Sequence, residues 1–262
     1  REKSIPERTF HNHREAILDV FGIEISFARG QGYYIANPDE LDGSGIHTWL
    51  LESMSLSNLL NECADMHSRI LFEKVPSSSR WLTVLVNAMR DGKAIQLSYK
   101  SFRRTEPTTF EAHPYCLKIF RQRWYMLAHT IGKEELRIYS LDRIADIEVL
   151  DTPLLLPENF DATDFFSDYF GIIIGHNIKP SILELKASAE QARYLESLPL
   201  HSSQEVVETT PEYTIFRYRI VPTFDLKQEI LSRGATLEVL SPEWFREEVV
   251  SEIKQMIKNY GK

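Results

Sequence analysis

Cysteine is almost missing from this sequence. Cys63 and Cys116 are the only two in 262 residues. They are too few and too far apart for the stapled framework of a small secreted domain, and a reducing cytoplasm is the expected compartment. Long apolar runs are missing as well. None approaches the roughly 18 residues that span a bilayer, and Arg1-Glu2-Lys3-Ser4 has no apolar signal region behind it. The motifs of common catalysts are absent too: there is no Gly-rich phosphate loop ending in Lys-Ser/Thr, no Gly-x-Ser-x-Gly and no His-Glu-x-x-His. His11-Asn12-His13 has no partner cysteine and the wrong spacing for a metal pair on a helix. The residues therefore predict a protein that is not an enzyme and carries no catalytic site, metal or cofactor.

Positive charge is in deficit, with a net charge of −8. Taken alone that argues against a nucleic-acid partner. Its distribution argues otherwise. Between Arg90 and Arg143 eleven basic residues face six acidic ones, a net +5 inside an acidic chain. Phosphate contacts depend on such local fields; an unevenly charged solvated surface is the plainer explanation.

The length suits two or three domains. At the start, Ser4-Ile5-Pro6-Glu7 reads as a capping box, with Pro6 in a first turn that tolerates a missing N–H. Phe10, Ile17 and Phe21 then recur on one helical face, and Gly22 is a natural stop. Ile23 to Phe27 alternates, Arg29-Gly30-Gln31-Gly32 turns, and Tyr33-Tyr34-Ile35 returns. A helix followed by a short hairpin is the second half of a winged helix-turn-helix. The preceding helix and turn are not in this sequence, so it is expected to begin mid-domain. The plainer alternative is an amphipathic helix beside a hairpin.

The remaining boundaries are set by breaks in pattern. Residues 1–36 form the partial winged helix, and 37–92 a helical linker ending in a helix from Trp81 to Arg90. Residues 93–151 hold short strands separated by turns such as Arg121-Gln122-Arg123, which suggests a small Sm/SH3-like barrel that closes its own edges. The predicted strands are 94–102, 115–120, 124–130, 136–140 and 145–150. Residues 152–178 are a connector rich in aromatics, from Phe160 to Phe170, that should pack on something. Residues 179–262 read βαββαβ with a final helix, a ferredoxin-like domain. The fold class predicted is α+β.

One stretch is more specific. Trp124-Tyr125-Met126 comes after a basic turn, and Leu136-Arg137-Ile138-Tyr139-Ser140-Leu141-Asp142-Arg143-Ile144 lies downstream, with Tyr99 and His113-Pro114-Tyr115 upstream. This resembles the WYL-domain transcriptional regulators, whose domain takes its name from a Trp-Tyr-Leu triplet and carries a downstream Arg-x-x-x-Leu-Asp-Arg-Ile run. Met126 stands where the triplet has leucine, an apolar swap of similar volume. The resemblance runs from about Ser4 to the C-terminus; Arg8-Thr9-Phe10 is similar to the start of the family's recognition helix. It implies a winged helix, an Sm-like barrel and a ferredoxin-like extension, in a cytoplasmic regulator that binds operator double-stranded DNA and senses a nucleotide or oligonucleotide effector.

The candidate contacts are of two kinds. For DNA they are Arg8, Thr9, His11, Asn12 and Arg29, on the helix start and the wing. For the effector they are Tyr99, His113, Arg123, Tyr125, His129, Arg137, Tyr139 and Arg143, guanidinium forks that suit phosphates interleaved with rings that stack on bases. Arg137 and Tyr139 share a strand face and are expected to line one groove. Arg143 has a structural alternative, pairing with Asp142 or with backbone carbonyls. Trp124 reads as core, which leaves Tyr125 on the opposite face. Two half-sites on DNA imply a homodimer, with the connector and the ferredoxin-like domain as candidate surfaces. A non-regulatory adaptor that recruits single strands for a partner protein is the alternative reading.

Overall fold

The computed structural model describes residues 7–21, 23–30, 32–36, 79–175 and 178–261. Ser4 to Pro6 of the capping box and most of the 37–92 linker lie outside them. The chain divides into two units, residues 1–74 and 75–262.

In the first unit, helix α1 (Glu7–Phe21) is followed by a hairpin of β1 (Ile25–Ala28) and β2 (Gly32–Ile35). Gly30 and Gly32 flank the turn at φ 96° and 86°, the left-handed region that a side chain resists. Tyr33 packs between Phe10 of the helix (4.7 Å) and Phe27 of the hairpin (5.1 Å), which fixes the hairpin against α1.

The second unit opens with α2 (Ser79–Arg90), whose Leu85 and Ala88 are buried against a five-stranded antiparallel sheet. The strands are β3 (Lys93–Tyr99), β4 (Thr108–Phe120), β5 (Arg123–Thr130), β6 (Arg137–Ser140) and β7 (Ile144–Pro153), in the order β6-β5-β4-β3-β7. Ile95, Leu97, Met126, Ala128 and Leu141 are fully buried under α2. Each large apolar side chain so buried stabilises by about 1.5–3 kcal/mol. Met126 lies at the centre of this core.

Two expectations for this sheet need correction. It does not close its own edges: among the described residues no ladder joins β6 to β7. The three-residue 3₁₀ turn Leu141–Arg143 links the two edge strands. And β4 begins at Thr108, well before Tyr115. The strand runs through Pro114, although proline cannot donate to a ladder. The structure seats it beside a bulge between Pro114 and Cys116, where the register slips and the missing donor costs little.

The connector lies along this open, barrel-like sheet. Phe160 meets Tyr115 at 5.1 Å and Phe170 meets Phe120 at 5.7 Å, with the short helix α3 (Ala162–Phe166) between. Its aromatics are thus spent within the chain. Beyond it come β8 (Ser181–Ser188), α4 (Ala189–Ser197), β9 (Glu205–Thr209), β10 (Tyr213–Ile220), α5 (Phe224–Ser232) and β11 (Leu237–Ser241). The antiparallel order β11-β8-β10-β9 is that of a ferredoxin-like sheet. Its core gathers Leu183, Leu185, Phe216, Tyr218 and Phe245. Helix α6 (Glu243–Asn259) comes after the last strand.

Two contacts tie the barrel to the connector and to the ferredoxin-like domain. The two-residue β4–β5 loop holds Arg121 and Gln122 at φ 46° and 63°, the geometry of a hairpin turn that favours Asn-Gly. Arg121 reaches across to Glu229 of α5 at 2.6 Å. Lys118 donates to the Gly171 carbonyl at 2.8 Å and sits 3.9 Å from the Phe166 ring. Burial pushes the Lys118 ammonium down to about 8, against the pull of Cys116 and Asp225.

Candidate functional site

The basic residues of the barrel fall into two classes. Some are neutralised: Lys93 by Asp151 at 2.9 Å, Arg121 by Glu229, and Arg123 by Asp142 at 3.5 Å. Others have no acidic partner among the described residues: Lys100, Arg104 and Arg143 are of this kind, and they converge. Together with Ser101, Phe102, Asp142, Ile144 and Ala145 they line an open cleft of about 370 Å³.

The local chain explains the convergence. Strand β3 ends at Tyr99, and residues 100–107 loop away from the sheet before β4. The Leu141–Arg143 turn sits beside that loop because Tyr99 pairs with Ile144 and the Lys100 N–H donates to the Arg143 carbonyl at 3.1 Å. Arg143 answers with its Nε donating to the Lys100 carbonyl at 3.0 Å. Its guanidinium then lies 3.7 Å from the centre of the Phe102 ring and 5.0 Å from Tyr99. Phe102 is 88% exposed. The ring is open to solvent on the side away from the cation and so is available to a ligand.

The structural reading of Arg143 is met at a backbone carbonyl rather than at Asp142. One nitrogen holds a backbone carbonyl, and no bond within the described chain uses the other two. The opposing charge in the cleft is Asp142, which is held by Arg123 and by the Ser140 hydroxyl. A planar fork with free donors, two further cations and an exposed ring suit a phosphate attached to an aromatic base.

The structure brings together only part of the predicted effector set. Arg123 pairs with Asp142, which precedes Arg143 in the same 3₁₀ turn. Arg137 is exposed at the far end of β6, and His129 is six residues along β5 from Arg123, about 20 Å away. Three candidates are core residues instead: Tyr99, Tyr139 and His113 are 8%, 7% and 0% exposed. The Tyr139 hydroxyl bonds Thr130 at 2.6 Å, and the Tyr99 hydroxyl accepts from the Ser140 N–H at 3.2 Å. The curl of the sheet turns this strand face inward, so Arg137 and Tyr139 line no common groove. His113 Nδ1 accepts from the Leu155 N–H at 3.1 Å, which puts the ring proton on Nε2, facing Glu111 at 3.4 Å. Burial lowers its pKa despite that carboxylate. His129 bonds the Lys133 carbonyl at 3.1 Å. Trp124 packs on the core as expected. Tyr125 is half-buried and paired with Lys118, outside the cleft.

Lys100, Phe102 and Arg104 were missed by sequence reasoning. The run Lys100-Ser101-Phe102-Arg103-Arg104 carried a signal, cations around one aromatic, but it was absorbed into a strand. In the first unit Arg8, His11 and Asn12 are exposed on one face of α1, Thr9 is half-buried, and Arg29 is exposed in the hairpin turn. Among the described residues no helix is long and apolar enough to cross a membrane, and no group of three His, Cys, Asp or Glu is placed to hold a metal.

Residues 80–149 match the WYL domain and residues 181–257 match the WCX domain. No match was found among curated proteins. Among solved structures the chain is similar to proteasome accessory factor B/C (PafBC) of Arthrobacter aurescens, at 18% identity over 72% of this chain and 28% of that one, with a TM-score of 0.31. It is also similar to a CRISPR Cas-related protein, at 14% identity over 68% of this chain and 50% of that one, with a TM-score of 0.39. The chain thus spans about a quarter to a half of the length of these proteins.

Proposed function

We propose that this WYL-domain protein, with a WCX domain behind its barrel, is a cytoplasmic, DNA-binding transcription regulator whose barrel binds a phosphate-bearing effector, a nucleotide or a single-stranded oligonucleotide. The observation that carries this reading is Arg143, stacked on the exposed Phe102 with its outer nitrogens unused, between Lys100 and Arg104. The phosphate would sit on the fork and the base on the ring. DNA would be met by the exposed face of α1, through Arg8, His11 and Asn12, with Arg29 of the hairpin clamping a phosphate. Two copies would read two half-sites. The protein performs no chemistry of its own.

The ligand class is tested by titrating the chain with short single-stranded oligonucleotides, with mononucleotides and with uncharged metabolites. Binding of the first two should weaken with salt, with a log–log slope of about −0.7 per phosphate contact. No binding at millimolar ligand in low salt, alongside binding of an uncharged metabolite, would refute the proposal. For DNA, a duplex selected from a random pool should lose about 1–3 kcal/mol of affinity on Arg8→Ala. Equal affinity for every duplex sequence would leave the adaptor in place of the regulator.

A further inference from the structure

The arrangement at Arg143 is repeated next to the cleft. Arg80, in the first turn of α2, is exposed. Its Nη2 reaches the Ile144 carbonyl at 3.5 Å, and its guanidinium lies 4.6 Å from the centre of the Trp81 ring. Two arginines thus each hold one backbone carbonyl and stack on one aromatic ring. Arg143 takes Lys100 and Phe102, and Arg80 takes Ile144 and Trp81. Ile144 joins the two places, because it follows Arg143 in the chain and lines the cleft. Like Arg143, Arg80 has no acidic partner among the described residues.

The fold makes little use of the Arg80 charge. Strand β7 is an edge of the sheet, and donors from α2 meet its Ile144 carbonyl. The indole Nε1 of Trp81 already donates to that carbonyl at 3.3 Å. The Arg80 bond is longer and at the outer limit of a hydrogen bond, so the carbonyl is satisfied without it. Trp81 is held independently, packed against the core of the sheet. What remains is a cation set beside another unpaired cation, and the two repel. A ligand with two phosphates removes that repulsion and uses both forks.

We propose that Arg80 is a second phosphate anchor of the effector cleft: a ligand whose first phosphate sits on Arg143 places a second on Arg80. This rests on the effector reading and adds that the ligand carries at least two phosphates, adjacent as in a nucleoside diphosphate or one sugar apart as in a dinucleotide. It also gives the ligand a hold outside the sheet. Arg143 belongs to the turn before β7, whereas Arg80 belongs to the helix that follows residues 1–74 in the chain. A ligand bridging the two ties the start of α2 to β7, so the amides of that first turn exchange more slowly.

The test titrates the full chain by isothermal titration calorimetry with three probes: thymidine monophosphate, thymidine diphosphate, and pTpT, a dinucleotide with a terminal phosphate. Arg80→Gln removes the charge but keeps a donor for the Ile144 carbonyl, so its Tm should match that of the unaltered chain. It should weaken pTpT, the diphosphate or both by about tenfold, and make their salt slope shallower by about 0.7. The monophosphate should be unaffected. Which of the two weakens tells how far apart the phosphates lie. Arg80→Lys keeps the charge and should keep the slope. Hydrogen exchange should show pTpT or the diphosphate protecting the first turn of α2 in the unaltered chain and not in Arg80→Gln. If Arg80→Gln leaves all three probes unchanged while Arg143→Ala weakens them, the second anchor is overturned and the effector reading stands. Equal weakening of all three by Arg80→Gln also overturns it, because Arg80 then supports the cleft rather than holding a phosphate. No binding of any probe, or no effect of Arg143→Ala, removes the effector reading and this inference together.

Discussion

Replacing Arg143 with alanine separates what this residue does for the fold from what it does for a ligand. Within the fold it contributes one bond from Nε to the Lys100 carbonyl at 3.0 Å and a stack on Phe102 at 3.7 Å. Both are near water. A charge-assisted bond there is worth about 1 kcal/mol and an exposed cation–π contact about 0.5–1 kcal/mol. Arg143→Ala should therefore cost about 1.5–2 kcal/mol, a drop of about 3–8 °C in Tm, and leave the protein folded. For a phosphate-bearing ligand the loss is larger. A guanidinium bonded to phosphate contributes about 2 kcal/mol, so affinity should fall about 30-fold. The salt dependence should change with it, with the log–log slope becoming shallower by about 0.7. Arg143→Lys keeps the charge but not the planar stack, so it should keep the slope and lose most of the affinity. Fluorescence anisotropy with a labelled oligonucleotide across a salt series reads both quantities. An Arg143→Ala protein with unchanged slope and affinity within twofold of the original would refute the assignment of the cleft. An unfolded one would show that the Leu-Asp-Arg-Ile run is structural.

Other perturbations probe the frame around the site. At Gly171 a Cβ would stand 2.4 Å from the Asp225 carboxylate, which itself accepts the Ile172 and Ile173 N–H groups at 2.8 Å; Gly171→Ala should cost about 2–3 kcal/mol, and an unshifted urea midpoint would contradict this. His113 has a folded pKa below its unfolded value, so the unfolded chain takes up the proton first, and stability should fall as pH drops below about 6.5. His113→Gln keeps an acceptor for the Leu155 N–H and should flatten that part of the pH profile; an identical slope in the variant would show that other groups set it. Gln122 holds φ 63° without being glycine. Gln122→Gly should raise stability by about 0.5–1 kcal/mol, the left-handed cost less the added chain entropy, and a lower Tm in thermal unfolding would argue against strain in this turn.

Much of the architecture was legible because it depends on local pattern. The period-2 run Ile95–Leu97–Tyr99, the helical recurrence of Trp81, Leu82 and Leu85, and the order of elements after Ser181 each specify a type of element without reference to distant residues. The α+β class and the ferredoxin-like order come from them. The Trp124-Tyr125-Met126 and Leu-Asp-Arg-Ile runs likewise pointed to the WYL domain that residues 80–149 match. The strand expected from Tyr115 starts earlier, at Thr108, because a bulge carries it through Pro114.

The site was less legible, because a linear pattern gives the face of a strand but not which face the sheet turns inward. Arg137 and Tyr139 alternate correctly, yet the curl of the sheet buries Tyr139 against Tyr99 and leaves Arg137 in water. Charge in the sequence is additive; in the fold it is paired. Lys93, Arg121 and Arg123 are neutralised by residues 58, 108 and 19 positions away, while Arg143 gains its platform from Phe102, which no spacing rule connects to it. Composition thus determined that the barrel carries a positive excess. Only the approach of the 100–107 loop to the Leu141–Arg143 turn decided which of those charges remain free to hold a ligand, since that approach is set by strand pairing between residues distant in the chain.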